Sequence, residues 1–270
     1  MNIGTGKPPP ADTEIVPHYG LDLLEPGSPF SAYQFLTLAL EGLAFACKAG
    51  REPWVCGGTG LYIRALVEKL PLGARPRPGL RSALGKRLEQ VTSAEIAQAL
   101  DLKVKDPHNP ARVIRAAEKA CREETRASAI YQWAGLTPGD ATRDGQDDDV
   151  GPVLSSLRGW ECAGIAVLDP GKAALDQRII DRVGYMYENG LVEEVQNLRK
   201  LGYGTALTVK TAIGYKEAGL LLDGKFSKQE ALQRTIIRTR QYARRQRIYF
   251  RGRGWPVFNE EQLSARDGTI

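Results

Sequence analysis

Residues 51 to 64 have the sequence R-E-P-W-V-C-G-G-T-G-L-Y-I-R, and this stretch decides the predicted fold. Residues 53 to 56 are mostly apolar and suited to an extended conformation, whereas apolar residues recur about every 3.6 positions from Leu61 to Leu70. Between them lie Gly57 and Gly58, which favour a tight turn. The pattern predicts a buried strand, a glycine turn and an amphipathic helix, which together are typical of α/β proteins.

The glycine turn is also a candidate ligand-binding site. Backbone N–H groups at a helix N-terminus can bind an anion, and Thr59 lies at the mouth of this turn. Glycine turns also join strands to helices in many α/β proteins that bind nothing at that point. The turn by itself therefore leaves both interpretations open.

The composition indicates an ordinary globular protein. The chain has 270 residues, of which 42% are hydrophobic and 26% are charged, so one or two domains are expected. No apolar run approaches the roughly 20 residues that span a bilayer. No secretion signal is visible, and we expect a cytoplasmic protein with no membrane partner.

The cysteines do not indicate a metal site. Cys47, Cys56, Cys121 and Cys162 are scattered, and the chain has only 2 histidines. A zinc site needs clustered ligands, so a metal held by Cys and His is not expected. We predict that the cysteines are small buried apolar residues in a reducing compartment.

The net charge of +5 is unevenly distributed along the chain. Residues 227 to 253 contain nine Lys or Arg and one Glu, a local net charge of +8, which leaves −3 for the rest. Ser227 and Glu230 have the spacing of a capping box, which predicts a helix reaching Phe250 or beyond. We expect this basic strip to bind a phosphate backbone, with outward-facing arginines at 234, 238, 244 and 245.

Several segments resemble one family in the same order. The string G-G-T-G-L-Y-I-R-A-L-V-E-K-L at 57–70 resembles the signature of the tRNA dimethylallyltransferases, also called tRNA isopentenyltransferases. Further resemblances are I-G-T-G-K-P at 3–8, N-P-A-R-V-I-R-A-A-E at 109–118, D-Q-R-I-I-D-R-V-G-Y-M at 176–186, T-A-I-G-Y-K-E at 211–217 and T-R-Q-Y-A-R-R-Q at 239–246. The resemblance is to bacterial members, because the eukaryotic C-terminal zinc finger is absent.

The resemblance implies an α/β fold with a parallel sheet core like that of P-loop NTPases and a small helical insertion domain. The core is expected to comprise residues 1–76 and 151–270, and to be incomplete at its N-terminal end. Residues 77–150 are expected to form the insertion that clamps the anticodon stem-loop, followed by an acidic loop.

The resemblance also implies a reaction and its partners. A dimethylallyl group would pass from dimethylallyl diphosphate to N6 of adenine 37 in tRNA, with Mg²⁺ on the diphosphate, in a monomeric enzyme. Family motifs assign Thr59 and Arg182 to catalysis. The diphosphate would be bound by Gly57, Gly58, Arg178 and Arg182. The tRNA would be bound by Arg81, Arg112, Arg115, Gly214, Tyr215, Lys216, Arg244 and Arg245.

Spacing alone does not establish these arginine roles. Arg112 and Arg115 share one helix face and could hold a phosphate strand, but such pairs are common on any helix. Arg178 and Arg182 stand one helical turn apart, which is also usual for a surface pair.

Two family features are not found in the printed sequence. Gly6-Lys7 is not a Walker A motif, because Pro8, Pro9 and Pro10 prevent the helix that must follow it. In the family, the P-loop and the Asp that accepts the adenine N6 proton precede I-G-T-x-K-P. We therefore expect about one strand–loop–helix–strand unit to be absent, with the general base and most of the diphosphate cradle.

Two alternative functions stay open at this point. One is a truncated, catalytically inactive tRNA-binding remnant of the family. The other is a small-molecule prenyltransferase acting on an adenylate, for which the basic strip and the Arg112–Arg115 pair would have no purpose.

Four further elements are predicted from local patterns. Helices are expected at 31–47, 81–100 and 176–198, and a short buried strand at 160–168. Residues 137–159 are polar and acidic, which is typical of a loop.

Residues 1–270 alone are expected to be poorly soluble and to show no measurable prenyl transfer. The strand at Trp54–Cys56 would have a bare apolar edge, and exposed edges aggregate. Extension upstream by about 30 residues, the size of one such unit, is expected to restore stability and activity. Transfer of a radiolabelled prenyl group measures this. Robust transfer by residues 1–270 would contradict the expectation and make Asp22 the carboxylate to test.

Overall fold

The computed structural model describes residues 1–28, 30–70, 79–121, 124–136, 159–259 and 262. The chain divides into two compact units. The first unit comprises Met1–Leu70 with Ser156–Ile270, and the second comprises Pro71–Ser155. The acidic loop predicted at 137–159 lies outside the described residues except for Gly159.

Helices dominate the described part of both units. Those of the first unit that precede the second are α1 (Pro10–Ile15), α2 (Ala32–Lys48) and α3 (Gly60–Val67). The second unit contains α4 (Leu80–Arg87), α5 (Ser93–Ala99), α6 (Pro110–Ala120) and α7 (Glu124–Ala134). The first unit then continues with α8 (Lys172–Glu188), α9 (Leu191–Lys200), the 3₁₀ turn Tyr203–Thr205, α10 (Leu207–Thr211), α11 (Tyr215–Leu222) and α12 (Lys228–Arg251).

The sheet is small and parallel. Within the described residues it consists of β1 (Val167–Leu168) and β2 (Val257–Phe258), with Val167 opposite Val257. The structure is therefore a helix-rich α/β fold, and the larger core like that of P-loop NTPases stays a prediction.

Of the two predicted buried strands, the one at 53–56 is wrong, and the one at 160–168 is confirmed only at 167–168, where it is not fully buried. Residues 54–56 are not in a strand, and Trp54 is 63% exposed. Of residues 160–168 only β1 pairs, and Leu168 is also 63% exposed. An extended segment becomes a strand only when another segment bonds to its backbone, and the apolar run alone does not supply that partner.

Local capping signals set the helix boundaries. The predicted helix at 31–47 is confirmed, and it starts with a capping box between Ser31 and Gln34. The helices predicted at 81–100 and 176–198 are each divided in two. A second capping box, between Thr92 and Glu95, starts α5. Gly190, with φ of 98°, separates α8 from α9, because few residues other than glycine adopt that conformation easily.

Each unit has its own hydrophobic core. In the first, α8, α9, α11 and α12 enclose buried residues that include Val183, Leu191, Val195, Tyr215 and Ala231. In the second, α4 to α7 enclose residues that include Leu84, Ile96, Val113, Ala117 and Ile130. No helix among the described residues is long and apolar enough to cross a membrane.

The cysteine prediction holds only for Cys121, which is buried in the second unit. Cys47, Cys56 and Cys162 are exposed. Cys56 belongs to the exposed apolar run at 54–56, and Cys47 lies in the last turn of the predicted apolar helix α2, so apolar neighbours in the sequence did not ensure burial.

A buried carboxylate of the first unit pairs with a partly exposed arginine. Glu217 is 2% exposed, and its carboxylate accepts a hydrogen bond from Arg238 Nη1 at 2.6 Å and another from the Gly214 N–H at 2.9 Å. Arg238 was predicted to face outward, and this is wrong. It binds Glu217 of α11, and its second nitrogen also donates to the carbonyl of Thr211, the last residue of α10, at 3.1 Å.

Replacing Arg238 by methionine should lower the free energy of unfolding of the first unit by about 2 to 4 kcal/mol, because a buried carboxylate then loses its partner. The measurement is native-state hydrogen exchange of α12 with urea. Arg244→Met, at an exposed position of the same helix, is the matched control. A cost below about 0.5 kcal/mol for Arg238→Met, the range of ordinary surface changes, would contradict this.

Candidate functional site

The glycine turn before α3 leaves Thr59 exposed. Thr59 is the N-cap residue of α3, with φ of −84° and ψ of 92°, and its side chain makes no capping hydrogen bond. Gly57 is also exposed, and a Cβ added there would come no closer than 3.9 Å to Ile63. Thr59 and Gly57 are therefore accessible to a ligand.

Helix α12 packs directly on the other two glycines of the turn. The side-chain amide of Gln246 donates to the Gly58 carbonyl at 3.0 Å, and a Cβ on Gly58 would lie 1.9 Å from Gln246 Nε2. A Cβ on Gly60 would lie 2.0 Å from the ring of Tyr249. Close packing against α12 therefore explains glycine at positions 58 and 60 without a ligand, and no local sequence pattern indicated this packing.

Charged contacts continue this packing along α3. Glu68 pairs with Arg64 at 2.7 Å and with Arg253 at 3.6 Å, and the Arg253 guanidinium lies 5.0 Å from the centre of the Tyr249 ring. The hydrogen bond from Arg64 holds the pKa of Glu68 below its usual value. The turn and α3 thus contact α12 at Gln246 and Tyr249, and Arg253 just beyond its C-terminal end.

The I-G-T-G-K segment is held by the carboxylate of Glu194 on α9. That carboxylate accepts hydrogen bonds from the backbone N–H groups of Asn2, Ile3 (3.1 Å) and Gly4 (3.4 Å), and from the Tyr215 hydroxyl (2.8 Å). Burial opposes the charge of Glu194, but the hydrogen bonds from Asn2 and Tyr215 outweigh burial and lower its pKa. Gly4 lies on the Tyr215 ring, where a side chain would clash.

Arg182 lies against this same segment. Its Nη2 donates to the Thr5 carbonyl at 3.4 Å, and its guanidinium occupies the space into which a side chain on Gly6 would extend. Arg178 is exposed one turn earlier on α8. The Lys7 ammonium contacts Asp22 and donates to Asn2 Oδ1 at 2.8 Å. The structure thus places Arg182 beside the segment that carries Lys7.

Helix α12 contacts both predicted parts of the site. Arg240 pairs with Asp176 on α8 at 3.2 Å, two residues before Arg178, while Gln246 binds the turn that carries Thr59. The catalytic residues that the resemblance assigned therefore lie on two segments that share α12 as a neighbour.

The basic strip is partly neutralised by carboxylates from distant segments. Among the described residues, five of its nine cations form ion pairs: Arg238 with Glu217, Arg240 with Asp176, Arg247 and Arg251 with Asp169, and Arg253 with Glu68. Arg244 and Arg245 are exposed, and the Arg245 guanidinium lies 5.8 Å from the centre of the Tyr242 ring. Fewer of the strip's positive charges are therefore available to a ligand than its nine Lys and Arg residues suggest.

Asp169 fixes the end of β1 to α12. Its carboxylate accepts from Arg247 at 2.9 Å, from Arg251 at 3.1 Å and from the Gly171 N–H at 3.1 Å. Burial opposes the charge of Asp169, but the hydrogen bonds from Arg247 and Gly171 outweigh burial, and its pKa lies below the usual value.

The predicted tRNA residues at 214–216 have different environments. Tyr215 is 1% exposed, so its side chain belongs to the core, and a direct tRNA contact by that side chain is ruled out in this conformation. Gly214 is buried with φ of 89°, and its N–H is bound by Glu217. Lys216 is exposed. Only Lys216 of the three presents its side chain to solvent.

In the second unit a buried carboxylate anchors two of the predicted arginines. Glu118 accepts two hydrogen bonds from Arg81, at 2.8 and 3.0 Å, and one from Arg115 at 3.1 Å, and its side chain is 1% exposed. The Arg81 side chain remains 63% exposed. Arg112 lies 3.9 Å from Asp106. The i, i+3 spacing of Arg115 and Glu118 was the sequence signal for this anchor.

An open cavity of about 460 Å³ also lies in the second unit. Its lining includes Lys86, Arg87 and Gln90, and Arg87 lies 5.6 Å from the centre of the Trp133 ring. None of the predicted site residues lines it.

The chain matches a family model and several named relatives. Residues 1–253 match the family described as IPP transferase. The chain is 34% identical to the tRNA dimethylallyltransferase of Anaeromyxobacter dehalogenans, over 98% of this chain and 85% of that protein. It is 35% identical to the tRNA dimethylallyltransferase of Thermus thermophilus, over 93% of this chain and 76% of that protein.

Two solved structures are also similar to this chain, each at 27% identity. The tRNA delta(2)-isopentenylpyrophosphate transferase of Staphylococcus epidermidis has a TM-score of 0.59, covering 97% of this chain and 81% of that one. The tRNA isopentenylpyrophosphate transferase of Bacillus halodurans has a TM-score of 0.60, covering 96% and 77%.

Proposed function

The chain belongs to the IPP transferase family, and from that premise we propose how its residues carry out tRNA prenylation. The dimethylallyl group passes from dimethylallyl diphosphate to N6 of adenine 37 in tRNA. The main support for this proposal is the match of residues 1–253 to the family. It favours tRNA prenylation over an inactive remnant or a small-molecule prenyltransferase.

The reaction requires a positive site for the leaving group. The allylic C–O bond breaks, the N6 lone pair forms the new C–N bond, and pyrophosphate and a proton are released. Negative charge grows on the departing oxygen, and guanidinium groups that are already in place stabilise it best. Arg182 and Arg178 on α8 supply these groups, and the exposed Thr59 supplies an N–H and a hydroxyl.

The proton released from N6 needs a base. Neither Thr59 nor Arg182 can accept it. Asp22, whose carboxylate contacts Lys7 of the I-G-T-G-K segment, is the carboxylate to test if residues 1–270 alone transfer the prenyl group.

The resemblance also implies Mg²⁺ on the diphosphate. Among the described residues no group of three His, Cys, Asp or Glu could hold a metal ion. This donor set does not fit a metal site built by the protein, and we assign no step to the ion.

Each unit offers its own basic surface for tRNA. In the first unit the exposed cations that we propose for tRNA are Arg244, Arg245 and Lys216. In the second unit, Arg81 and Arg115 are oriented by Glu118 and remain partly exposed, beside Arg112. Arginines held by a buried carboxylate lose little further entropy on binding phosphate, which suits them to this role.

The test of the function is prenyl transfer measured beside tRNA binding. Transfer of a labelled dimethylallyl group to tRNA supports the enzyme, and binding without transfer supports the remnant. AMP that competes with tRNA as an acceptor would support the small-molecule alternative.

Neutralising Arg244 and Arg245 together to glutamine should weaken tRNA binding and lower the salt slope of log K by about 1 to 2, because each phosphate contact contributes about 0.7 to 0.9. Binding titrations over a range of salt concentrations measure the slope. The matched control is the Arg240→Gln, Asp176→Asn double variant, which removes a cation together with its partner. An unchanged slope in the Arg244/Arg245 variant would refute its role.

In the upstream-extended chain, Arg182→Ala should lower kcat about 10²- to 10³-fold, as removal of one transition-state donor typically does, while tRNA affinity stays nearly constant. Single-turnover transfer and tRNA binding are measured on the same preparation. Lys200→Ala, an exposed position of α9, is the control. If kcat held and only tRNA affinity fell, Arg182 would belong to the tRNA surface.

A further inference from the structure

The contact between Gln246 and Gly58 joins positions 188 residues apart. Gln246 follows the exposed Arg244 and Arg245 but is itself partly buried, so it lies on a different side of α12. Its amide N–H donates to the Gly58 carbonyl at 3.0 Å. This contact determines how the peptide group between Gly58 and Thr59 is oriented.

A peptide group is planar and trans, so its carbonyl and its N–H point in opposite directions. The structure has no cis peptide bonds among its described residues. Because the Gly58 carbonyl points at Gln246, the Thr59 N–H must point away from α12. The exposed Thr59 residue therefore directs this donor to the accessible side of the turn, where an anion can reach it.

We propose that Gln246 is a positioning residue that sets the direction of the Thr59 N–H toward the diphosphate. The proposal rests on the proposed function, since it concerns the diphosphate of that reaction. Gln246 does not touch the substrate, and it acts through the Gly58–Thr59 peptide. It also links this donor to α12, which presents Arg244 and Arg245 to the tRNA.

The neighbouring contacts show why a donor is required at position 246. Glycine at 58 offers little steric resistance to rotation of its flanking peptide groups. The orientation of the Gly58–Thr59 peptide group must therefore be fixed by a contact with another residue. Tyr249, three residues along α12, fills the space at Gly60 but bonds to neither group of the 58–59 peptide. Gln246 is thus the side chain that the structure shows holding this carbonyl.

The first experiment measures the affinity of the full chain for inorganic pyrophosphate by calorimetry. Gln246→Glu keeps the shape but cannot donate to a carbonyl when ionised, and Gln246→Ala removes the side chain. Both should weaken pyrophosphate binding about tenfold or more, as expected for loss of a donor to a charged group. Both should leave tRNA affinity within about twofold, because the arginines that bind phosphate are unchanged. Gln241→Ala, at an exposed position of the same helix, is the control.

A second pair of variants isolates the N–H itself. Thr59→Ala keeps the N–H, whereas Thr59→Pro removes it at a φ of −84° that is close to the range of proline. Thr59→Pro should bind pyrophosphate about tenfold more weakly than Thr59→Ala. Adding Gln246→Ala to Thr59→Pro should cause no further loss.

The outcomes separate this proposal from the proposed function. Wild-type pyrophosphate affinity in both Gln246 variants would overturn the positioning role while leaving the function intact. Equal losses for pyrophosphate and tRNA would also overturn it, because they would indicate general destabilisation. If the wild-type chain bound neither ligand, the proposed function would fail and the proposal with it.

Discussion

Carboxylates from four segments of the chain converge on the arginines of α12 and its C-terminal end. Glu68, Asp169, Asp176 and Glu217 are separated by many residues in the sequence, and each pairs with an arginine between 238 and 253. The pairs that involve Glu217 and Asp169, whose side chains are 3% and 8% exposed, are costly to break, because a buried charge left behind has no water to replace its partner. Helix α12 is therefore the element against which the rest of the first unit is ordered.

The ion pairs reduce the electrostatic repulsion among the arginines of α12. A strip with a local net charge of +8 repels itself, and five of its cations are balanced within the fold. Arg244 and Arg245 are exposed, and they are the cations that we propose for binding an external phosphate. Helix α12 thus carries both arginines that pair with carboxylates of the fold and arginines proposed to bind tRNA, and these differ in their neighbours rather than in residue type.

A second constraint is the hold of Glu194 on the I-G-T-G-K segment. A carboxylate that accepts three backbone N–H groups and a tyrosine hydroxyl fixes a segment that has no regular secondary structure of its own. The same contact explains why Tyr215 is buried. Residues that resemble binding motifs, such as Gly4 and Tyr215, instead secure the segment that lies beside Arg182.

Local sequence signals determined the features that need only near neighbours. The capping box at Ser227 and the apolar spacing of α2 and α12 predicted helices that the structure contains, because helical hydrogen bonds lie within the segment itself. The ordered motifs also indicated the family, and residues 1–253 match it. Tertiary structure alone decided the rest. Four features depend on residues far away in the sequence: the lack of a strand at 54–56, the burial of Tyr215, the pairing of Arg238 and the contact of Gln246 with Gly58. The local spacing of residues does not specify which distant segment packs against them.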